Sequence, residues 1–203
     1  MSTSGPIRLG LTGSIAMGKS TTAQMFAEAG VPVWDADATV HTLYAPGGAA
    51  TAPLAQLVPE ALTAEGIDRK ILSRHIETDP TLLTRIEAIV HPLVRADREA
   101  FLKRHATAKL VLLDIPLLFE TDGAATCDQI LVVTAPPEVQ RTRALARPGM
   151  TEARLDHILS RQTPDVEKRA RADHIIDTSK GLEAARTAVH SLLEALTQDP
   201  TDA

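Results

Sequence analysis

The chain has 203 residues, of which 44% are hydrophobic and 23% charged, and a formal net charge of -5. That balance suits one globular domain with a substantial core and argues against a general nucleic-acid or membrane-surface binder. A single cysteine, Cys127, excludes an intrachain disulfide and a C-x-x-C metal site. Aromatic residues are scarce (Phe26, Trp34, Tyr44, Phe101, Phe119), so the core must be built mostly from Leu, Ile, Val and Ala. No apolar run approaches the roughly 18 residues of a membrane span. The opening MSTSGPIR lacks the basic and apolar regions of a signal peptide, so a cytoplasmic location is expected.

In chain order, Ile7–Leu11 predicts a first strand and Gly18–Ala29 a helix ended by Gly30. Val31–Trp34 predicts a short second strand that delivers Asp35 and Asp37 at its C-terminal end, where open α/β sheets place their ligands. Ala38–Tyr44 is expected to be helical and Ala45–Pro53 a flexible connection. Only helix and loop are expected from Leu54 to Ala106, with Pro92 kinking or ending the last helix. Leu110–Leu113 predicts a buried strand ending in Asp114, and Ile130–Val133 another. Helices are expected over Pro136–Arg147, Thr151–Gln162 and Pro164–Ala172, a short strand over His174–Asp177, and a closing helix over Leu182–Leu196.

Five strands alternating with helices indicate an α/β fold with a parallel sheet covered on both faces. Between the first strand and helix stand Gly13, four residues, then Gly18-Lys19-Ser20, the G-x-x-x-x-G-K-[ST] phosphate-binding loop. Glycines let the backbone wrap so that N–H groups along Gly13, Ser14, Ile15, Ala16, Met17, Gly18, Lys19, Ser20 and Thr21 face one anion, aided by the helix dipole. Lys19 can reach the β- and γ-phosphates of a nucleotide such as ATP, and the Ser20 hydroxyl can ligate Mg²⁺. A P-loop kinase-like architecture fits best: a core over about 7–44, 107–140 and 173–197, a helical insertion at 54–106 and a lid at 141–172.

No guanine-reading N-K-x-D or T-K-x-D tetrapeptide is present, so a small-molecule phosphotransferase is favoured over a GTPase. A carboxylate of Asp35-Ala36-Asp37 can accept a proton from an acceptor hydroxyl or hold Mg²⁺ through water; an N-cap is the competing role. Asp114 is either a metal-organising carboxylate or an ordinary strand-end acid. Pro116, Leu117 and Leu118 either wall a substrate pocket or pack the core. In His91-Pro92-x-x-Arg95, Arg95 can hold a phosphate bidentately or lie on a solvated face. Arg143 and Arg147 share a helix face ahead of Pro148-Gly149, as in an arginine-bearing lid over ATP.

Together these pieces resemble the dephospho-CoA kinase family. The matching stretches are G-L-T-G-x-I-x-x-G-K-S at Gly10–Ser20, V-P-V-W-D-A-D at Val31–Asp37, H-P-L-V-R at His91–Arg95 and D-I-P-L-L-F-E at Asp114–Glu120. The Arg143/Arg147 pair, Gln162 and A-D-H-I-I-D at Ala172–Asp177 complete the series in family order. The resemblance implies transfer of the ATP γ-phosphate to the ribose 3′-hydroxyl of dephospho-CoA with Mg²⁺. It implies Asp37 as base with Asp35 beside it, Lys19 and Ser20 on phosphate and metal, and His91 and Arg95 on the acceptor. The chain departs from the usual G-G-I-G-S-G-K loop at Ser14, Ala16 and Met17, and has His157 where an arginine is common. A nucleoside or shikimate-type kinase, or an ATP-binding regulatory protein, are the competing readings.

Overall fold

Strand positions in the computed structural model, which describes residues 5–198, follow the apolar runs closely. Five strands form one sheet in the order β2-β5-β1-β6-β7: β1 Ile7–Thr12, β2 Val33–Asp35, β5 Leu110–Asp114, β6 Gln129–Thr134 and β7 His174–Asp177. β1 pairs parallel with β5 (Leu9 opposite Leu112, Leu11 opposite Asp114) and with β6 (Leu11 opposite Leu131). β6 in turn pairs parallel with β7, Val133 opposite Ile176. Every residue of β5 is buried, as a parallel strand covered on both faces requires. Helices α1 (Lys19–Glu28) and α9 (Leu182–Thr197) pack over a core of Leu9, Leu11, Phe26, Leu112, Leu131, Val133 and Val189. Between β6 and β7 run α6 (Pro137–Leu145), α7 (Glu152–Ser160) and α8 (Asp165–Ala170). Thr151 caps α7 by accepting from the Arg154 N–H.

The chain divides into two compact units, one of Met1–Trp34 with His105–Ala203 and one of Asp35–Arg104. The second holds α2 (Ala36–Tyr44), α3 (Thr51–Leu57), α4 (Arg69–Thr78) and α5 (Thr81–Arg104). Its own core gathers Ala50, Leu54, Leu72, Leu82, Ile86 and Val90.

Three local expectations are corrected in this unit. The stretch 45–53 is no open connection: α3 begins at Thr51, the Ala50 N–H donates to the Leu43 carbonyl at 3.2 Å, and Ala50 is fully buried. Nor is 54–106 all helix and loop. β3 (Leu62–Thr63) and β4 (Gly66–Ile67) make a small antiparallel hairpin, its turn tied by the Thr63 hydroxyl donating to the Gly66 carbonyl at 2.9 Å. Two-residue strands are too short for alternation to register. Finally, Pro92 marks no helix boundary: α5 continues through it, 24 residues in all. The proline forfeits a bond to the Ala88 carbonyl, but Ala88 and Pro92 lie on the exposed side, where water can satisfy it. Buried Leu82, Ile86 and Val90 hold the helix from the other side. No helix among the described residues is long and apolar enough to cross a membrane.

Candidate active site

The loop after β1 is shaped by close approach and by left-handed backbone at two residues, Ala16 and Gly18. A Cβ on Gly13 would lie 2.6 Å from Val133 Cγ2 and 2.8 Å from the Val133 carbonyl, so only glycine passes over β6 here. Gly18 takes φ 90 as the N-cap of α1, and the Thr22 N–H closes the first turn on its carbonyl at 3.0 Å. The first helical N–H groups, at Lys19, Ser20 and Thr21, therefore have no intrahelical acceptor and present the positive end of α1. Ser14 is buried, while Ser20 and Thr21 are exposed.

The loop does not point all its N–H groups one way. The Ile15 N–H donates to Gln162 Oε1 at 3.0 Å, and Gln140 Nε2 donates to the Ile15 carbonyl at 2.9 Å. The Met17 N–H turns back onto the Ser14 carbonyl at 3.2 Å. Ile15 and Met17 thus anchor the loop instead of contributing N–H donors to an anion, which corrects the expectation of a uniform cradle. Ala16 is the non-glycine departure with a structural account. It adopts φ 62, a region costing an L-residue about 1–2 kcal/mol. Its methyl group is buried with Ala144 and Leu155, against Ile15, Leu145, Met150 and Leu159.

Lys19 Nζ sits 2.6 Å from Asp114 Oδ1, joining the loop to the end of β5. Both lie at the C-terminal edge of the sheet, and the Asp114 side chain is 4% exposed. An ammonium has three donors, so two remain for phosphate oxygens.

A cavity of about 260 Å³ opens beside the loop, lined by Ala16, Gly18, Thr21, Arg143, Thr178 and Leu182 among others. Arg143 donates from Nη1 to the Thr178 hydroxyl at 2.9 Å and from Nη2 to its carbonyl at 2.8 Å. The Thr178 hydroxyl donates to the Met17 carbonyl at 2.9 Å. Arg143 is thereby a strut between α6 and the loop's outer wall, while the Arg147 side chain, beyond the end of α6, has no hydrogen-bond or ion-pair partner among the described residues, and Arg147 lines the same cavity. Asp177, just before, is held below the usual carboxylate range by hydrogen bonding from Ser179, with Lys180 and Arg143 adding to the effect.

The turn after β5 is tied to α8. The Thr163 N–H donates to Glu120 Oε1 at 2.7 Å, the fully buried Lys168 ammonium lies 3.0 Å from the same oxygen, and the Arg171 guanidinium stacks 4.2 Å over the Phe119 ring. Burial would push the Glu120 carboxyl up, but the Thr163 N–H and the Lys168 ammonium hold it below its ordinary range. Pro116 is half-buried, its carbonyl accepting from Thr12 at 3.0 Å, and Leu117 is 45% exposed. Leu118 is 0% exposed. It packs in the interior, the core alternative of the two that the sequence left open for it.

In the second unit Asp35 is an N-cap: its Oδ1 accepts from the Ala38 N–H at 2.9 Å. Asp37 follows in the first turn of α2, exposed and with no hydrogen bond or ion pair among the described residues. His91 and Arg95 share one exposed face of α5, four residues apart. The Thr39 hydroxyl links α2 to α5 by donating to Asp97 at 3.1 Å.

Sequence reasoning named Gln162 only as part of the family series, with no role, and did not place Gln140, Thr178, Gly181, Leu182 or Ala185 in the site, although each bonds the loop or lines the cavity. Thr178 follows a strand end, the position that flags ligand contacts in such sheets. Gln162 was marked only by the family resemblance, and Gln140 carries no comparable local signal.

The chain is also similar to known proteins. The profile of the dephospho-CoA kinase family matches residues 7–184. A dephospho-CoA kinase of Cereibacter sphaeroides is 61% identical over 188 residues, covering 93% of this chain and 94% of that one. One from a Jannaschia species is 59% identical over 190 residues, covering 94% and 97%. The crystal structure of TT1252 from Thermus thermophilus is 36% identical, with a TM-score of 0.83 over 96% of this chain and 100% of that one.

Proposed function

The chain belongs to the dephospho-CoA kinase family, and from that premise we propose that it moves the γ-phosphoryl group of ATP to the ribose 3′-hydroxyl of dephospho-CoA, giving CoA and ADP. The observation that carries the reading is the strand–loop–helix cradle with Lys19 on Asp114, in a chain matched to the family over residues 7–184.

In this reading the free N–H groups at the start of α1 hold the phosphates, and Lys19 neutralises charge on the transferring group. Asp114 fixes where the Lys19 ammonium stands. Asp37 takes the proton of the 3′-hydroxyl, whose oxygen forms a bond to the γ-phosphorus as the bond to the β–γ bridging oxygen of ADP breaks. Its exposed and unpaired carboxylate suits an acceptor of protons. Asp35 positions that turn through its cap. His91 and Arg95 engage the acceptor from α5. The cavity beside Arg147 and Leu182 takes the nucleoside of ATP, with Arg143 bracing its wall.

The Ser20 hydroxyl and the Asp114 carboxylate are hard oxygen donors, as Mg²⁺ requires. No cluster of three or more His, Cys, Asp or Glu stands ready as a metal cage among the described residues, which suits an ion bound largely by phosphates and water. When bound, Mg²⁺ would offset charge on the β- and γ-phosphates. A cytoplasmic setting, where ATP is available, belongs to the same reading.

The test is ADP release by the purified protein with ATP and Mg²⁺, comparing dephospho-CoA, shikimate, adenosine and no acceptor. Turnover with dephospho-CoA alone, and a product one phosphate heavier by mass spectrometry, is the expected result. Preference for another acceptor overturns the substrate. Asp37→Asn should retain ATP affinity and lose about 100-fold or more in turnover; unchanged turnover removes Asp37 as the base.

A further inference from the structure

The phosphate loop is gripped at one residue by two side chains that lie far away in the chain. Ile15 donates its N–H to Gln162 Oε1 and receives a bond on its carbonyl from Gln140 Nε2, at 3.0 Å and 2.9 Å. Gln140 is 8% exposed and belongs to α6; Gln162 follows the end of α7. The grip is polar and apolar at once, because Ile15 and Ala16 also enter the cluster of Ala144, Leu155 and Met150 from the same segment. With Ile15 turned outward, the N–H groups of Ala16 and Gly18 are left without a protein partner among the described residues. Those groups and the start of α1 remain for an anion.

We propose that Gln140 and Gln162 are positioning residues for the phosphate loop, holding both backbone polar groups of Ile15 so that the α6–α7 segment sets the shape of the anion cradle. The two side chains act with opposite polarity. A backbone N–H only donates and a carbonyl only accepts, so Gln162 must offer its oxygen and Gln140 its nitrogen. Packing alone would not distinguish them. The consequence is directional: glutamate replaces an accepting glutamine without loss of the bond, but opposite a carbonyl it sets oxygen against oxygen. This inference rests on the nucleotide-binding part of the proposed function and not on the identity of the acceptor.

The experiment compares Gln140→Glu with Gln162→Glu. Both are isosteric and both add one negative charge near the loop, so general repulsion of the nucleotide is common to them. ADP affinity is measured by calorimetry in the presence of Mg²⁺, with a melting curve to establish folding. Gln140→Glu should bind ADP at least about fivefold more weakly than Gln162→Glu, and Gln162→Leu and Gln140→Leu should each lose about tenfold against the native protein. In turnover assays the KM for ATP should rise in the same order while the KM for dephospho-CoA stays level. Equal affinities for the two glutamate variants overturn the proposal, as do leucine variants that bind ADP as the native protein does. If a leucine variant fails to fold, the glutamate pair decides alone. A native protein that binds ADP but leaves dephospho-CoA unmodified defeats the proposed reaction and leaves this comparison intact.

Discussion

In the proposed function the phosphate loop and the His91–Arg95 face of α5 are two ways of building a binding surface. The loop works through main-chain groups, and each turn of it is held by something distant: Val133 against Gly13, Gln140 and Gln162 on Ile15, Thr178 on Met17, Asp114 on Lys19. The α5 face works through side chains four residues apart on one helix, both exposed. Main-chain donors cannot be aimed by rotamers, so their direction has to be imposed from outside. A helix carries its own register, and side chains on it need only the helix.

The strongest way to break the loop side of this contrast is Lys19→Ala. It removes the cation proposed to face the phosphates and the 2.6 Å ion pair that this cation makes with the buried Asp114. Turnover should fall about 1,000-fold and stability by about 3 kcal/mol, read by ADP release and denaturant titration. Retained turnover would mean that the loop is not where the chemistry occurs.

Glu120→Gln tests the same kind of distant grip in the turn after β5. It strands the Lys168 ammonium, which is fully buried, and should cost about 3 kcal/mol or less at neutral pH. The pH dependence has a definite sign. The Glu120 carboxyl sits below its ordinary value in the folded chain, so its stabilisation is present above the unfolded value near 4.3 and is lost as pH falls through the lower folded value. Melting temperatures of the native protein should therefore drop on acidification below about pH 5, and the variant should show a shallower acid limb. Parallel acid limbs would remove Glu120 from this role.

On the α5 face, Arg95→Ala should leave stability within about 0.5 kcal/mol, since the side chain is exposed and helical propensity is kept. The KM for dephospho-CoA should rise about tenfold with the KM for ATP unchanged. A matching rise for ATP would erase the distinction between the two surfaces.

The smallest effect is expected at Ala16→Gly. Relief of the left-handed backbone at φ 62, about 1 kcal/mol, is offset by loss of a buried methyl worth about 0.8 kcal/mol. Stability should stay within about 0.5 kcal/mol and ADP affinity within about twofold. A large loss of affinity would show that the methyl group transmits the hold of α6 and α7 on the loop.

Much of this molecule was legible in one dimension. Apolar runs marked all five strands of the main sheet, Gly13 and Gly18-Lys19-Ser20 marked the loop after the first strand, and the helix that Thr151 caps was placed within Thr151–Gln162. Each of these depends on residues a few positions apart, where periodicity, a left-handed turn or a capping oxygen acts directly. What only the tertiary structure decided is partnership. Asp114 faces Lys19 because β5 lies beside β1, although 95 residues separate them. Gln140 and Gln162 meet Ile15 because α6 and α7 fold back over the loop, across separations of 125 and 147 residues. Leu117 and Leu118 are chemically alike and adjacent, yet one is exposed and the other buried. Spacing records what neighbours along the chain can do; which distant group completes a donor, a charge or a packed face is set by sheet order and the sense of each turn.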